Sequence, residues 1–488
     1  MTAENDAAKL AHTIKHIGDR GMSDAFSKGV AMAIAVAPLF AACSGGGGGT
    51  PAPIAVPQCS GSSCGVQGPP SSTAANTSLC PADANIGSST YLGGAGGGEI
   101  VSLNINATTM TYTLKWLESP VPLATGTVTP TRAGTTITGS VAHPPAGTLP
   151  TAEQTRCAFV LLPGSGTAPA TNSTYSTAAD FNQANPPMIL IGFGVAGGGI
   201  PGATIQYSGL TIIPGVLQNI GQVPQRHFDF YPFLGFANTT TDLSKLPGTY
   251  NALVYHTVPS GNYAAKAIAS NETFDANGAC TSTSASGCMT TGNPWTASGN
   301  GYFNSTQAPQ ILPQTQLPLI GATGKSAVAH MVLGQLNGAT VPVVVRTGNV
   351  NLGTPPLHTD AQVDDESGIA VLGLAQAIAS GGIDGGYAGA DSNFKYTATV
   401  IKGTTGTFVN PSTQQAETGF TLDYGQSTPG LLGVTTTDTS APGFVIASGG
   451  LYAALVQGTV NGGITQSSAI ASQTPSAPYF GVGAQVSK

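Results

Sequence analysis

Short runs of apolar and β-branched residues, each ended by glycine, proline or asparagine, constrain this sequence more than any other feature. The 488 residues include 67 glycines and 35 prolines, and both residue types disfavour the interior of a helix. Strand-like runs lie between these breaks at Glu99–Asn106, Thr109–Leu117, Thr125–Pro130 and Thr135–Val141. The sequence therefore predicts an all-β body with few helices, in which antiparallel meanders form two or three sandwich or barrel-like domains.

Composition indicates that this body is folded. Hydrophobic residues make up 41% of the chain and charged residues only 8%. A disordered chain usually combines low hydrophobicity with high net charge, which is the opposite balance. The net charge of -7 also lacks the basic excess that nucleic-acid binding requires. We therefore expect no nucleic-acid partner.

Three similar segments suggest tandem domains. Each places a tyrosine shortly before a predicted hairpin, at Tyr91, Tyr250 and Tyr387. The spacing between them is too long for propeller blades or solenoid repeats, which recur at about 20 to 50 residues. A Gly/Pro/Ser-rich stretch before the first of them is typical of a flexible tether. The predicted organisation is a signal peptide at 1–42, a lipidated cysteine with tether at 43–79, and β domains at 80–236, 237–350 and 351–488.

An export signal precedes the tether. Lys28 is followed by the apolar run Gly29–Phe40 and then by Ala41, Ala42 and Cys43. The run is shorter than the roughly 20 residues that a spanning helix needs, and small residues follow it, as in a signal peptide. A buried core helix is the alternative interpretation. Met22 offers a shorter and more ordinary start than Met1.

The end of this signal resembles a bacterial lipobox. Leu39 to Cys43 match its pattern, although Phe40 stands where leucine is usual. The resemblance implies that Cys43 receives a diacylglycerol anchor after cleavage. Because Ser44 and not aspartate follows the cysteine, the resemblance also implies sorting to the outer membrane, with the membrane as a partner through the N-terminal lipid.

Six further cysteines form an even set, as expected in an oxidising compartment. Spacing favours a bond between Cys280 and Cys288, and a second between Cys59 and Cys64 in the tether. Elimination then leaves a third pair, although other pairings remain open. The third candidate pair is Cys80 with Cys157.

Motifs for cofactor chemistry are incomplete. The glycines of Gly192–Gly199 imitate a dinucleotide-binding turn, but no helix pattern or suitably placed acid follows them. Gly321–Ser326 (GATGKS) lacks the first glycine of a phosphate-binding loop, because Leu319 occupies that position. The chain also contains no GxSxG and no HExxH. We expect no nucleotide and no cofactor.

An acidic cluster is the strongest candidate for local chemistry. Its members are Asp360, Asp364, Asp365 and Glu366. Carboxylates so close together repel one another unless a cation or solvent relieves them, and calcium takes oxygen ligands. Because the calcium-loop spacing is absent, we favour a solvated loop whose acids precede a helix. Calcium is the weaker alternative, so no metal is expected.

Two further segments have ambiguous patterns. Ile369–Ser380 has a possible N-cap in Ser367 and a glycine stop, which predicts a helix, although its apolar run also fits a buried strand. The aromatic stretch from Arg226 to Phe233 (RHFDFYPF) is interpreted as aromatic core at a domain edge.

The lipobox, the tether and three segments resemble an uncharacterised family of betaproteobacterial exported lipoproteins built from a domain of unknown function. The segments are TMTYTLKWLESPVP, GTYNALVYH and GGYAGADSNFKYTATVIKG. The resemblance implies a class and a compartment, but it implies no activity, substrate or catalytic residue.

Two functional hypotheses follow. The first is a lipid-anchored, non-enzymatic envelope protein that binds a glycan or an envelope protein through Thr/Asn/Ser-rich faces. The second is a secreted hydrolase that acts on polysaccharide. Two carboxyl groups about 5 to 9.5 Å apart in one Trp- or Tyr-lined cleft would favour the hydrolase, and their absence would favour the binding module.

Overall fold

A computed structural model describes residues 78–149, 151–281, 295–312, 327–358, 360–410, 415–460 and 478–487. Within these ranges nearly all regular structure is antiparallel β-sheet. The prediction of an all-β chain with few helices is confirmed. The helical segments described are α1 (Asp83–Ile86), α2 (Ala152–Arg156) and 3-10 turns at Ala178–Asp180, Leu243–Lys245 and Pro259–Gly261.

The first sheet closes into a barrel. Eight of its strands pair in the order β3-β2-β1-β10-β9-β8-β5-β4, and β4 pairs back onto β3. A small hairpin, β6–β7, extends from β4. The strands are β1 (Thr90–Ala95), β2 (Glu99–Asn106), β3 (Thr111–Glu118), β4 (Thr136–Ala142), β5 (Ala158–Leu161), β6 (Ser165–Ala168), β7 (Ser173–Ser176), β8 (Met188–Ile191), β9 (Val195–Tyr207) and β10 (Val223–Phe236).

Strand β3 shows how the sequence specifies the inside of this barrel. Tyr112, Leu114 and Trp116 are buried, whereas Thr111, Thr113 and Lys115 between them are exposed. Because successive side chains of a strand point to opposite faces, this alternation places large apolar groups inside the barrel. The prediction of a strand in this segment is therefore confirmed.

The prediction of a strand at Thr125–Pro130 is wrong. The chain between β3 and β4 is a loop that contains one isolated bridge, from Pro122 to Thr131. Pro120, Pro122 and Pro130 carry no backbone N–H and cannot donate to a sheet ladder. The loop instead extends along the rim of the cavity described below.

The middle sheet has the order β13-β12-β20-β17-β16-β15-β14, and β11 pairs with β16. A separate hairpin, β18–β19, connects β17 to β20. The strands are β11 (Thr239–Thr240), β12 (Gly248–Val258), β13 (Ala264–Phe274), β14 (Thr296–Ala297), β15 (Phe303–Ser305), β16 (Val328–Leu336), β17 (Ala339–Thr347), β18 (Asn349–Asn351), β19 (Gln362–Asp364) and β20 (Ser367–Leu374).

Both faces of this middle sheet are buried. Val343 and Ile369 pack into a cluster that also contains Phe236 of the first barrel and Phe480. Their neighbours in the chain face a second cluster on the other side. A strand buried on both faces reads as a continuous apolar run, which explains the three consecutive valines Val343–Val345 in β17.

The third sheet is a closed barrel of eight consecutive strands, with the last paired to the first. Its interior holds aromatic rings, among them Tyr387, Phe408 and Tyr452. The strands are β21 (Gly385–Asp391), β22 (Tyr396–Lys402), β23 (Thr405–Asn410), β24 (Gln415–Asp423), β25 (Leu432–Thr436), β26 (Gly443–Ser448), β27 (Leu451–Val456) and β28 (Tyr479–Ser487).

The predicted helix at Ile369–Ser380 is wrong, and its alternative, a buried strand, is what forms. Ser367–Leu374 is β20, paired with β12 on one side and β17 on the other. Two-sided burial favours the extended form for so apolar a segment. The prediction assigned this segment to the third domain, whereas it pairs within the middle sheet. The three domain ranges themselves stay a prediction.

A disulfide joins Cys80 to Cys157. This is the pair that the sequence predicted by elimination. Cys280 is also disulfide-bonded, but its predicted partner Cys288 lies outside the described residues. The same is true of Cys43 and of the predicted pair Cys59 and Cys64.

Candidate functional site

A cavity of about 130 Å³ lies where the three sheets meet. The first barrel supplies wall residues from β10 and from the loop after β3. The middle sheet supplies residues from β12 and β20, and the third barrel closes the remaining side. The residues that carry its chemistry are Arg226, Phe228, Tyr231, Tyr255, Thr257, Tyr263, Asp365, Ser392, Phe394 and Phe480.

Six aromatic side chains line this cavity, and several of them contact one another. The ring of Phe228 lies 5.1 Å from Tyr231, 5.6 Å from Tyr263 and 5.4 Å from Phe394, centroid to centroid. Such spacings are typical of favourable offset and edge-to-face pairs. On another side of the cavity, Tyr255 stacks on Phe480 at 5.9 Å. These contacts give the cavity a rigid apolar surface.

Arg226 is the cation of the cavity. Its guanidinium carbon lies 4.9 Å from the ring of Phe228, 5.0 Å from Tyr263 and 5.7 Å from Phe394. All three distances fall within the range of cation–π attraction. The pairing of β9 with β10 shifts register between Val223 and Arg226. A register irregularity of this kind changes the direction of a side chain. Arg226 lies at this irregularity and lines the cavity wall.

Two tyrosines of the wall stay protonated at neutral pH. Burial raises the pKa of Tyr255 to about 12, and burial also raises the pKa of Tyr263. The Tyr263 hydroxyl donates to the carbonyl oxygen of Pro224 at 3.0 Å. Both hydroxyls are therefore neutral hydrogen-bonding groups beside a mainly apolar surface.

Asp365 is the carboxylate of the wall. Both of its oxygens accept hydrogen bonds from Ser260, at 2.6 Å from the backbone N–H and 2.8 Å from the hydroxyl. Burial raises the pKa of Asp365, and the bonds from Ser260 oppose that rise. The carboxylate is thus held by the protein itself.

The interpretation of the acidic cluster as a solvated loop is wrong. Asp364, Asp365 and Glu366 are all buried, and Glu366 is 0% exposed. Asp364 pairs with Arg346 at 2.8 Å, and Glu366 bonds to His256 at 2.7 Å. Only Asp360 keeps partial exposure, and it accepts bonds from Thr354. Hydrogen-bond donors and cations of the protein, and not solvent, therefore relieve the repulsion between these carboxylates.

Sheet register explains this outcome. Strand β20 begins just after Glu366, and its Gly368 lies opposite His256 on one side and Arg346 on the other. The two flanking strands therefore bring two of the few basic side chains to the acids. Burial lowers the pKa of His256. For Glu366, burial is the largest influence and acts to raise the pKa, but the hydrogen bond from His256, the backbone N–H of Ile311 and the positive charge of Arg346 together lower it. A neutral imidazole that donates to an ionised carboxylate agrees with the lowered pKa of His256 and with the lowered pKa of Glu366.

Within the described residues, one group of side chains lies close enough together to be considered for a metal: Cys80, Glu153 and Cys157. The two sulfurs are already joined to each other, so they are not available as thiolate ligands. The four acids of the cluster go to separate partners and do not surround a common point.

Sequence reasoning located part of this cavity. The aromatic stretch supplies Arg226, Phe228 and Tyr231, although it was interpreted as core. The wall residues from β12 and from the third barrel were missed. Tyr255 and Phe394 lie within GTYNALVYH and GGYAGADSNFKYTATVIKG, but only the tertiary structure brings these segments beside β10.

The fold and site define a protein of two closed β-barrels and an intervening sheet, with an aromatic cavity where they meet. Residues 111–484 match the family described as protein of unknown function DUF2957. This match spans well over half of the chain, so the chain belongs to that family. No curated protein matches the chain.

Among solved structures, the chain is similar to intact Ap-TbpB with its N and C lobes, at 9% identity and a TM-score of 0.18. That match covers 79% of this chain and 66% of the other, so this chain spans slightly under two thirds of it. A single and a double mutant of transferrin binding protein B from Haemophilus parasuis Hp5 match at 10% identity, with TM-scores of 0.14 and 0.16. Each of these two matches covers 79% of this chain. They cover 66% of the single mutant and 65% of the double mutant.

The helices of the described residues are short. None of those in the described part of the chain has the length and apolarity to cross a bilayer.

Proposed function

We propose that this protein is a non-enzymatic binding module of the cell envelope that takes a small ligand into the cavity between its three sheets. One observation carries the proposal: the cavity combines a braced aromatic wall with a few convergent polar groups. Largely preformed apolar pockets with few polar groups are the usual form of small-molecule sites. A ring-shaped ligand, such as a sugar or an aromatic compound, fits such walls by stacking.

The same wall argues against hydrolysis of polysaccharide. Glycoside hydrolysis requires two carboxyl groups about 5 to 9.5 Å apart across the scissile bond. Among the described residues of the wall, Asp365 is the one carboxylate, and Ser260 holds both of its oxygens. Its neighbours Asp364 and Glu366 pair with Arg346 and His256. No observation favours the hydrolase as a second candidate.

The proposed module is attached to the outer membrane by lipid on Cys43. The support is the sequence alone: an apolar run, small residues before the cysteine, Ser44 after it, and a Gly/Pro/Ser-rich tether. A glycan or an envelope protein remains the proposed larger partner.

The binding proposal is tested with a neutral ring compound, indole-3-propionamide, by isothermal titration calorimetry. Thr257 lines the cavity on β12, and Thr257→Trp is expected to fill the space and abolish binding. Thr249 lies on the same strand away from the wall, so Thr249→Trp is the matched control and should bind as the parent does. A parent that does not bind the probe, or a Thr257→Trp variant that still does, overturns the proposal.

A further inference from the structure

We propose that the cavity selects ligands that carry one anionic group on a ring-shaped body, and that Arg226 is the residue that recognises the anion. This inference rests on the proposed function and adds the class of ligand to it. It is carried by the pairing of charges in the described structure and by the position of Arg226.

Arg226 differs from the other described arginines. Arg132 pairs with Glu99, Arg156 with Glu153 and Arg346 with Asp364. In the described part of the chain, Arg226 has neither a carboxylate partner nor a side-chain hydrogen bond, and its contacts are the three aromatic rings. In a chain with only 8% charged residues, a half-buried cation left with its donors free is a specific feature.

The aromatic contacts orient this cation. Rings on several sides restrict where the guanidinium can lie, so less freedom is lost when it forms further bonds. The planar fork of N–H donors matches a carboxylate or phosphate in two-contact geometry. A ligand whose ring stacks on the wall would therefore place an anionic substituent against Arg226.

Asp365 does not compete for this role. Its two oxygens already accept bonds from Ser260, and none of the ion pairs among the described residues joins it to Arg226. The remaining polar groups of the wall are neutral, since burial keeps Tyr255 and Tyr263 protonated. The free cation thus determines the charge preference of the cavity.

Matched probes test this selectivity. Indole-3-propionate is compared with indole-3-propionamide, and methyl glucuronide with methyl glucoside, by calorimetry at low salt. Each acid should bind the parent about tenfold or more tightly than its neutral counterpart, as expected for a charge-assisted hydrogen bond. The first pair represents aromatic acids and the second acidic sugars, so the pair with the larger preference identifies the source of the anion.

Variants separate this inference from the proposed function. Arg226→Gln should remove the preference for the acid while the neutral probe still binds, which also shows that the variant is folded. Arg226→Lys should keep part of the preference, and Lys266→Gln, an exposed change on β13, should keep all of it. Equal binding of acid and amide by the parent, or an acid preference that survives in Arg226→Gln, overturns the inference. If the parent does not bind the neutral probe, the proposed function is overturned instead.

Discussion

Glu99 and Arg132 form an ion pair in the interior of the first barrel, with two contacts of 2.7 Å and no solvent exposure of either side chain. The guanidinium also lies 4.3 Å from the ring of Trp116. Ser119 donates to the carboxylate, and the carbonyl of Gly202 accepts from Arg132 at 3.1 Å. The pair thus connects the start of β2, the loop before β4, and β9.

Removal of one member should leave the other charge buried without its partner. We expect Arg132→Met or Glu99→Gln alone to lower the free energy of unfolding by roughly 3 to 5 kcal/mol. The double variant should lose less than the sum of the two, because it leaves no lone charge. Urea denaturation of the four proteins measures this coupling. Additive losses would show that the two charges do not depend on each other.

The disulfide between Cys80 and Cys157 closes a segment with a sequence separation of 77 residues. A link across so long a segment restricts the unfolded chain, and the entropy model gives a contribution of roughly 4 to 5 kcal/mol. The variant with both cysteines changed to alanine should unfold at lower denaturant concentration with its β-sheet circular dichroism intact. An unchanged midpoint would contradict this account.

Asp391 should make stability depend on pH. Burial raises its pKa to about 7 from 3.8, so the folded state holds a proton that the unfolded state releases. The free energy of unfolding should therefore fall as pH rises from about 4 to about 7, and this contribution should then level off. The total effect is on the order of a few kcal/mol.

Asp391→Asn keeps the oxygen that accepts from the backbone N–H of Asn393 and Lys395 and cannot ionise. It should match the parent near pH 4 and be more stable than the parent above pH 7. Glu417→Gln, at an exposed position, is the control and should show no such divergence. Parallel stability curves for parent and Asp391→Asn would refute the assignment.

Two glycines of β9 differ in how much space surrounds them. A Cβ at Gly202 would lie 1.8 Å from the carbonyl oxygen of Phe228, whereas one at Gly197 would meet no atom closer than 3.9 Å. Gly202→Ala should therefore destabilise the first barrel by about 1 to 3 kcal/mol or more. It should also weaken probe binding, since Phe228 lines the cavity. Gly197→Ala is the matched control, and equal thermal stability of the two variants would contradict the argument.

The lipid anchor is tested in cells. Cys43→Ala should abolish fatty-acid labelling and release the protein into the soluble periplasmic fraction, because one thiol carries the whole attachment. Cys59→Ala in the tether is the control and should keep both the label and the membrane fraction. A Cys43→Ala protein that stays with the membrane would contradict the proposed anchor.

The sequence by itself determined the class of fold and much of its strand content. The alternation in β3 and the valine run in β17 are patterns of adjacent residues. Such local patterns predict a strand directly from the sequence. The same local information singled out the aromatic stretch at Arg226. It also left Cys80 and Cys157 as a pair, although only the structure shows that bond.

Only the tertiary structure decided the environment of the acids and the existence of the cavity. His256 and Glu366 are 110 residues apart in the chain, and the register of β12 against β20 brings them together. Whether a carboxylate is solvated or buried depends on such pairings, which spacing does not encode. The cavity likewise requires Arg226, Tyr255 and Phe394 to meet from three separate sheets. Their juxtaposition is a property of long-range packing, which no local segment of the chain specifies.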